Sequence, residues 1–187
     1  MRRLSRYALI AGLVAMTPLS AAGQTVPPGE EGKLAALLPP REDAHICYTR
    51  VYSPDHLARH PAQTVTEVAF RLAYYRHDPD EYFPKGQRNY YFAMLARLRG
   101  SDTMLAAYGE CAPVGDGISC GIDDDGGGVL ITRRGPRELL VSLVEFGRLR
   151  MDGYGEGGGV VLEPGEDDQQ FLLAKIDDTA CPAYDAW

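Results

Sequence analysis

The sequence lacks the features that define several common classes of protein. No uncharged apolar run reaches the ~20 residues of a membrane-spanning helix, so we expect no membrane span after signal cleavage. Lys and Arg total 19 against 26 Asp and Glu, whereas nucleic-acid binders normally carry clustered Lys and Arg, so nucleic acid is excluded as a partner. Hydrophobic residues make up 45% of the chain, too many for a disordered protein. These absences leave a globular domain.

The N-terminal 22 residues have the pattern of a signal peptide. Three arginines, at positions 2, 3 and 6, precede an uncharged stretch of 13 residues, and small residues then lead to a cleavage site after Ala22. We therefore expect a periplasmic or secreted protein. Cleavage removes three Arg and no Asp or Glu, which changes the net charge from −7 to −10.

The four cysteines predict two disulfide bonds. Their number is even, and an exported protein meets an oxidising compartment. Cys111 and Cys120 flank a Pro, Gly and Asp-containing turn, where a hairpin would bring the two sulfurs together. Cys47 and Cys181 then remain to tie the start of the domain to its end. A zinc site is the alternative, but the sequence has no C-x-x-C pair.

The chain divides into a leader and one domain. Residues 23–44 are rich in Pro, Gly and acid and predict a flexible leader, with one helical turn around Lys33 to Leu38. Residues 45–187 form the single domain. Within it, Ser53 and Pro54 have the residue types of a helix N-cap and first turn and predict one short helical segment.

The domain alternates apolar and polar residues over short strips, which is typical of strands. A first strand is predicted from Ile46 to Tyr52. The clearest strips are 63–76 and 89–99, and shorter ones follow at 103–111, 117–122, 128–133, 137–146, 159–163 and 170–176. Gly, Asp or Pro clusters separate them. We therefore predict an all-β fold, an antiparallel barrel or closed sandwich of about eight strands stapled by the disulfides.

Two catalytic or cofactor patterns match by chance. Gly117–Gly121 fits G-x-S-x-G, but an acidic and Gly-rich run follows it where the hydrolase motif requires a helix. Gly153–Gly158 fits G-x-G-x-x-G, yet the strand-like Val160–Leu162 follows instead of the helix that a dinucleotide site needs. We therefore predict no cofactor and no catalytic residue.

Two pairs of residues are candidate metal ligands. His56 and His60 are spaced i, i+4 on the short helix, so their rings share one face and can bind a transition metal or simply pack the helix. Asp123 and Asp125 carry the oxygen ligands that calcium prefers. The alternatives for the aspartates are a solvated, acidic turn and a docking surface for a basic partner.

Aromatic residues on the predicted strands are candidate ligand contacts. An aromatic-lined pocket would use their rings and the polar tips of the tyrosines, although such residues also pack well in sheets. The candidates are Tyr74, Tyr90, Phe92 and Tyr108.

Three functional hypotheses follow. The first is an exported, non-catalytic binding protein for a small apolar molecule or a sugar. The second is an acidic inhibitor or adaptor that docks on a basic extracellular or periplasmic protein, since charge speeds encounter with a cationic partner. The third is a hydrolase or metal-dependent enzyme, which would require His56 and His60 to meet a carboxylate at an open cleft.

Overall fold

A computed structural model describes residue 26 and residues 30–84, 86–123, 125–153 and 159–181. The predicted signal peptide lies outside these residues. The described chain contains two α-helices and ten strands. They are α1 (Lys33–Leu37), β1 (His45–Val51), α2 (Pro54–Arg59), β2 (Val65–His77), β3 (Gln87–Leu98), β4 (Met104–Val114), β5 (Gly117–Gly121), β6 (Gly128–Gly135), β7 (Glu138–Ser142), β8 (Leu149–Gly153), β9 (Val160–Leu162) and β10 (Gln170–Lys175).

Eight of these strands close into a barrel. Neighbouring strands follow the order β1 to β7 and then β10, which pairs with β1 to complete the circle. Every pairing around the barrel is antiparallel. The predicted all-β, antiparallel, disulfide-stapled fold is thus confirmed. Of the two predicted alternatives, a barrel and a closed sandwich, the structure is the barrel. β8 and β9 form an antiparallel pair, and β8 also pairs with the first residues of β4.

Side-chain alternation fills the barrel interior. On β2, the even-numbered residues from 68 to 74 belong to the main core, whereas Ala69 joins a separate small cluster on the outer face. An eight-stranded barrel is just wide enough to be filled by side chains or to hold one small ligand. Here large aromatic residues are fully buried, namely Tyr48, Phe70, Tyr90, Phe92 and Phe171. The interior is therefore a packed core.

Residues 30–44, which belong to the predicted flexible leader, fold against the barrel. The expected helical turn is α1, and it lies beside β4 and β5. Leu34, Leu37 and Leu38 are buried in the main core. The hydroxyl of Tyr90 donates a hydrogen bond to the Leu38 carbonyl oxygen at 3.1 Å. Because its leucines bury apolar surface, this part of the leader belongs to the folded domain.

Both predicted disulfides are present. Cys111 and Cys120 face each other across β4 and β5, with Cα atoms 4.0 Å apart. Cys47 on β1 joins Cys181, beyond β10, with Cα atoms 5.7 Å apart. The loops they close span 9 and 134 residues, so chain-entropy arguments assign about 2.5 and about 5 kcal/mol of stabilisation to the two bonds.

The short helix α2 begins as the sequence predicts. The hydroxyl oxygen of Ser53 accepts a hydrogen bond from the His56 backbone N–H at 3.2 Å, and Pro54 occupies the first turn. The helix ends at Arg59, two residues before Pro61. Within the described part of the chain, no helix has the length and apolar character needed to cross a membrane.

Candidate functional site

An open cleft of about 410 Å³ lies on the outer side of the barrel, between α2, the end of β1 and the segment that leads into β10. Its volume falls within the range of small-molecule sites. We name it the histidine cleft. Its lining is mostly polar and consists of Arg50, Tyr52, His56, His60, Gln63, Glu166, Asp167, Gln169, Gln170 and Leu172.

Planar side chains form a column along this cleft. The rings of His56 and His60 stack with centroids 4.3 Å apart and planes 20° apart, because residues one helical turn apart share a face. The ring of Tyr52 contacts His56 with a centroid separation of 4.8 Å. The guanidinium carbon of Arg50 lies 5.3 Å from the Tyr52 ring centroid. The i, i+4 spacing therefore predicted the shared face correctly.

Each histidine also has a hydrogen-bond partner that the sequence did not indicate. Nε2 of His56 lies 2.9 Å from Oε1 of Gln63. Nδ1 of His60 lies 3.3 Å from a carboxylate oxygen of Asp167. The cleft thus brings two histidines and a carboxylate together, which is the arrangement that the enzyme hypothesis requires.

A polar frame holds the walls of the cleft. The carboxylate of Asp168 is only 1% exposed and accepts hydrogen bonds from the Thr64 N–H, the Thr64 hydroxyl and the Val65 N–H at 2.6, 2.5 and 3.3 Å. The Arg99 guanidinium donates to the carbonyl oxygens of Leu57, His60 and Gln63 at 3.0–3.2 Å. These bonds fix the end of α2 and the segment before β10 relative to the barrel.

The hydroxyl of Tyr52 is a neutral polar group of the cleft. Burial raises its pKa, although the positive charge of Arg50 opposes part of the rise. A phenol with a raised pKa keeps its proton at neutral pH and can both donate and accept a hydrogen bond.

The stacked histidines do not aim at one metal ion. A metal bound by two imidazole rings lies close to the plane of each, whereas these planes are nearly parallel and stacked. Among the described residues, no group of three or more His, Cys, Asp or Glu side chains has the geometry to hold a metal. Metal binding by His56 and His60 would therefore require one ring to rotate, and it stays a prediction.

The second candidate metal pair lies elsewhere, in a cleft of about 320 Å³ that we name the aspartate cleft. It is lined by Ala106, Ala107, Tyr108, Ile122, Asp123, Asp125, Gly126, Arg150 and Asp152. Asp125 is 3.4 Å from the Arg148 guanidinium, and Asp152 is 3.7 Å from that of Arg150. Two of its carboxylates thus already have cationic partners. The histidine and aspartate pairs occupy different clefts and form no joint site.

The aromatic candidates divide between the inside and the outside of the barrel. Tyr74, Tyr90 and Phe92 face the interior, where their exposed fractions are 5%, 1% and 1%. Tyr74 packs edge-on against Tyr90, and Phe92 stacks on Phe70. These three side chains fill space that a ligand would need. Only Tyr108 lies beside a cleft.

Comparisons of the chain with protein-family models, with curated proteins and with solved structures give no match. The barrel alone does not define a function, since one fold hosts many. The residues of the two clefts, and not the fold, bear on the function. Of the two clefts, the histidine cleft has the firmer frame and the more varied set of hydrogen-bonding groups.

Proposed function

We propose that this protein is an exported, non-catalytic binding protein that holds a sugar in the histidine cleft. The observation that carries the proposal is the contrast between a barrel interior filled by aromatic side chains and an open, polar cleft of about 410 Å³ on its outer side. An apolar ligand inside the barrel would have to displace the core. A ligand on the outside needs no such change.

The chemistry of the cleft favours a sugar over an apolar molecule. A sugar hydroxyl both donates and accepts hydrogen bonds, so it suits a surface that offers both kinds of partner. The side-chain amides of Gln169 and Gln170 supply both, the Arg50 guanidinium supplies donors, and Glu166 supplies acceptors. Leu172 adds apolar surface for the carbon-bound face of the ring.

Export is part of the same proposal. The N-terminal sequence has the pattern of a signal peptide, and the two disulfides suit an oxidising compartment such as the periplasm or the cell exterior.

A second candidate function is an acid–base enzyme that acts in the same cleft. The hydrogen bond between His60 and Asp167 favours it, because a carboxylate commonly orients a catalytic histidine. It ranks second because the described residues of the lining include no Ser, Thr, Cys or Lys nucleophile, and stacked rings do not flank a substrate from two sides.

The acidic adaptor receives less support. Asp116, Asp125 and Asp152 are exposed, but each lies within 4.0 Å of a cationic side chain. Such pairs offset the negative charge at these three positions, although the chain as a whole keeps its net charge of −7.

Saturation-transfer NMR with the methyl glycosides of glucose, galactose, mannose and N-acetylglucosamine tests the proposal. We expect at least one to bind without release of methanol. Gln170→Ala should weaken that binding about three- to tenfold, as expected for one lost hydrogen bond. Gln87→Ala, at the start of β3 and outside the cleft, is the matched control and should leave it unchanged. Absence of binding by the whole panel would contradict the proposal, and release of methanol would favour the enzyme.

A further inference from the structure

The hydrogen bonds around His56 fix which ring nitrogen carries the proton. The amide nitrogen of Gln63 donates to the Val65 carbonyl oxygen at 2.8 Å, so the amide oxygen is the atom that faces His56. An amide oxygen only accepts, and Nε2 of His56 must therefore donate to it. The neutral ring then keeps an unprotonated Nδ1. Gln63 is 2% exposed, so its orientation is held by its surroundings.

The partner of His60 fixes the opposite arrangement. Nδ1 of His60 faces a carboxylate oxygen of Asp167 at 3.3 Å, and an ionised carboxylate only accepts. Nδ1 therefore carries the proton, and Nε2 of the neutral ring is left as an acceptor. The two neighbouring histidines are thereby held in different tautomers.

The unprotonated nitrogens of the two rings belong to the same short column. The ring centroids are 4.3 Å apart and both histidines line the cleft, so one small ligand spans both rings. The charged side chains that line the cleft are Arg50, Glu166 and Asp167. The frame of the cleft adds Arg99, directly after β3, and Asp168. Asp168 and Arg99 form the hydrogen bonds of the frame described above, and none of these bonds is to a histidine ring nitrogen.

We propose that Nδ1 of His56 and Nε2 of His60 determine specificity by accepting hydrogen bonds from two adjacent hydroxyl groups of a sugar. This inference rests on the proposed function, since it names the groups that read the ligand in the same cleft. A site that hydrogen-bonds a hydroxyl discriminates against an analogue without it, because its own polar group then loses a partner. Asp167 and Gln63 act as positioning residues that set the tautomers.

The tautomers are tested without any ligand. Long-range ¹H–¹⁵N spectra of the ¹⁵N-histidine-labelled protein above pH 8 distinguish a protonated ring nitrogen from an unprotonated one. We expect His56 as the Nε2–H form and His60 as the Nδ1–H form. Asp167→Leu should remove the Nδ1–H preference of His60, while Asp178→Leu, outside the cleft, should not. Finding both rings in the same tautomer in the unchanged protein would overturn the inference.

The specificity is tested with the methyl glycoside that binds most tightly and its monodeoxy analogues. We expect two adjacent positions at which loss of the hydroxyl weakens binding about tenfold, and His60→Leu should abolish the discrimination at one of them. His60→Gln should restore part of it, because the glutamine oxygen can take the place of Nε2 as acceptor. His45→Leu, outside the cleft, is the matched control, and thermal unfolding of each variant confirms that it folds.

These outcomes separate the inference from the proposed function. If no glycoside binds the unchanged protein, the proposed function fails. If a glycoside binds and Gln170→Ala weakens it, but every deoxy analogue binds equally well and His60→Leu has no effect, the function stands and the inference is wrong.

Discussion

The barrel interior and the histidine cleft both use contacts between aromatic rings, but to different ends. Inside, Phe70 and Phe92 stack with centroids 5.8 Å apart, and their surfaces are removed from water. Outside, His56 and His60 stack at 4.3 Å, and their edges line an open cleft. Burial makes the first contact a source of stability. The second contact lines a cleft, where one nitrogen of each ring is hydrogen-bonded to Gln63 or Asp167 and the other is the acceptor that we propose for the ligand.

The two regions are also held together differently. The interior depends on apolar packing between strands. The cleft depends on the hydrogen bonds of Asp168 and Arg99, which join distant parts of the chain. Substitutions in the interior should therefore change stability without changing affinity, whereas substitutions in the frame should change both.

The largest expected effect is that of Phe92→Ala. Removal of a fully buried phenylalanine ring leaves a cavity, and we expect a loss of about 3–5 kcal/mol in the free energy of unfolding. Urea unfolding measures it, and glycoside affinity measured below the transition should be unchanged. Phe83→Ala, at a more exposed ring, is the control and should cost less than about 0.5 kcal/mol. A cost for Phe92→Ala as small as that of the control would contradict the packed interior.

An intermediate effect is expected for Asp168→Ala. The change leaves the Thr64 and Val65 N–H groups without their acceptor, and we expect a loss of about 1–3 kcal/mol in stability. The segment that carries Asp167 is then no longer anchored, so glycoside affinity should fall as well. Glu163→Ala, an exposed position in the same segment, serves as the control for both measurements. Unchanged affinity would show that the frame does not position the cleft.

The smallest effect concerns Asp116, far from the cleft. The hydrogen bond from Lys33, together with its positive charge, lowers the pKa of the Asp116 carboxyl. A lowered pKa in the folded state means that this pair stabilises the fold at neutral pH and that the contribution is lost as the pH falls through the folded-state pKa. NMR titration should find the pKa of Asp116 higher in Lys33→Met than in the unchanged protein. An equal pKa would show that Lys33 does not hold the leader to the β4–β5 turn in solution.

Most of the fold was predictable because its signals are local. Alternation and turn residues indicated the strands of the barrel, and the hairpin spacing of Cys111 and Cys120 left one partner for Cys47. β8 (Leu149–Gly153) was missed, although its apolar Leu149 and Met151 alternate with the charged Arg150 and Asp152. Its pairing with β4, more than 40 positions earlier in the sequence, is what makes it a strand.

The site was predictable only in part. Helical spacing placed His56 and His60 on one face, but Asp167 is separated from His60 by 107 positions and meets it only after the barrel closes. Alternation assigned successive residues of each strand to opposite faces of the sheet. It did not show which face of the sheet, the one with Tyr74, Tyr90 and Phe92 or the other, lies inside the barrel. Closure of the sheet into a barrel places this face inside, where the three residues belong to the core.

The central claim is that the ligand binds on the outer wall of the barrel and leaves the interior undisturbed. Chemical-shift mapping of the labelled protein, titrated with the best-binding methyl glycoside, tests it most directly. We expect shifts in the side-chain signals of His56, His60 and Gln170, with the ring signals of Phe70 and Phe92 unmoved. Shifts centred on the interior rings, or on Tyr108 and the aspartate cleft, would contradict the account.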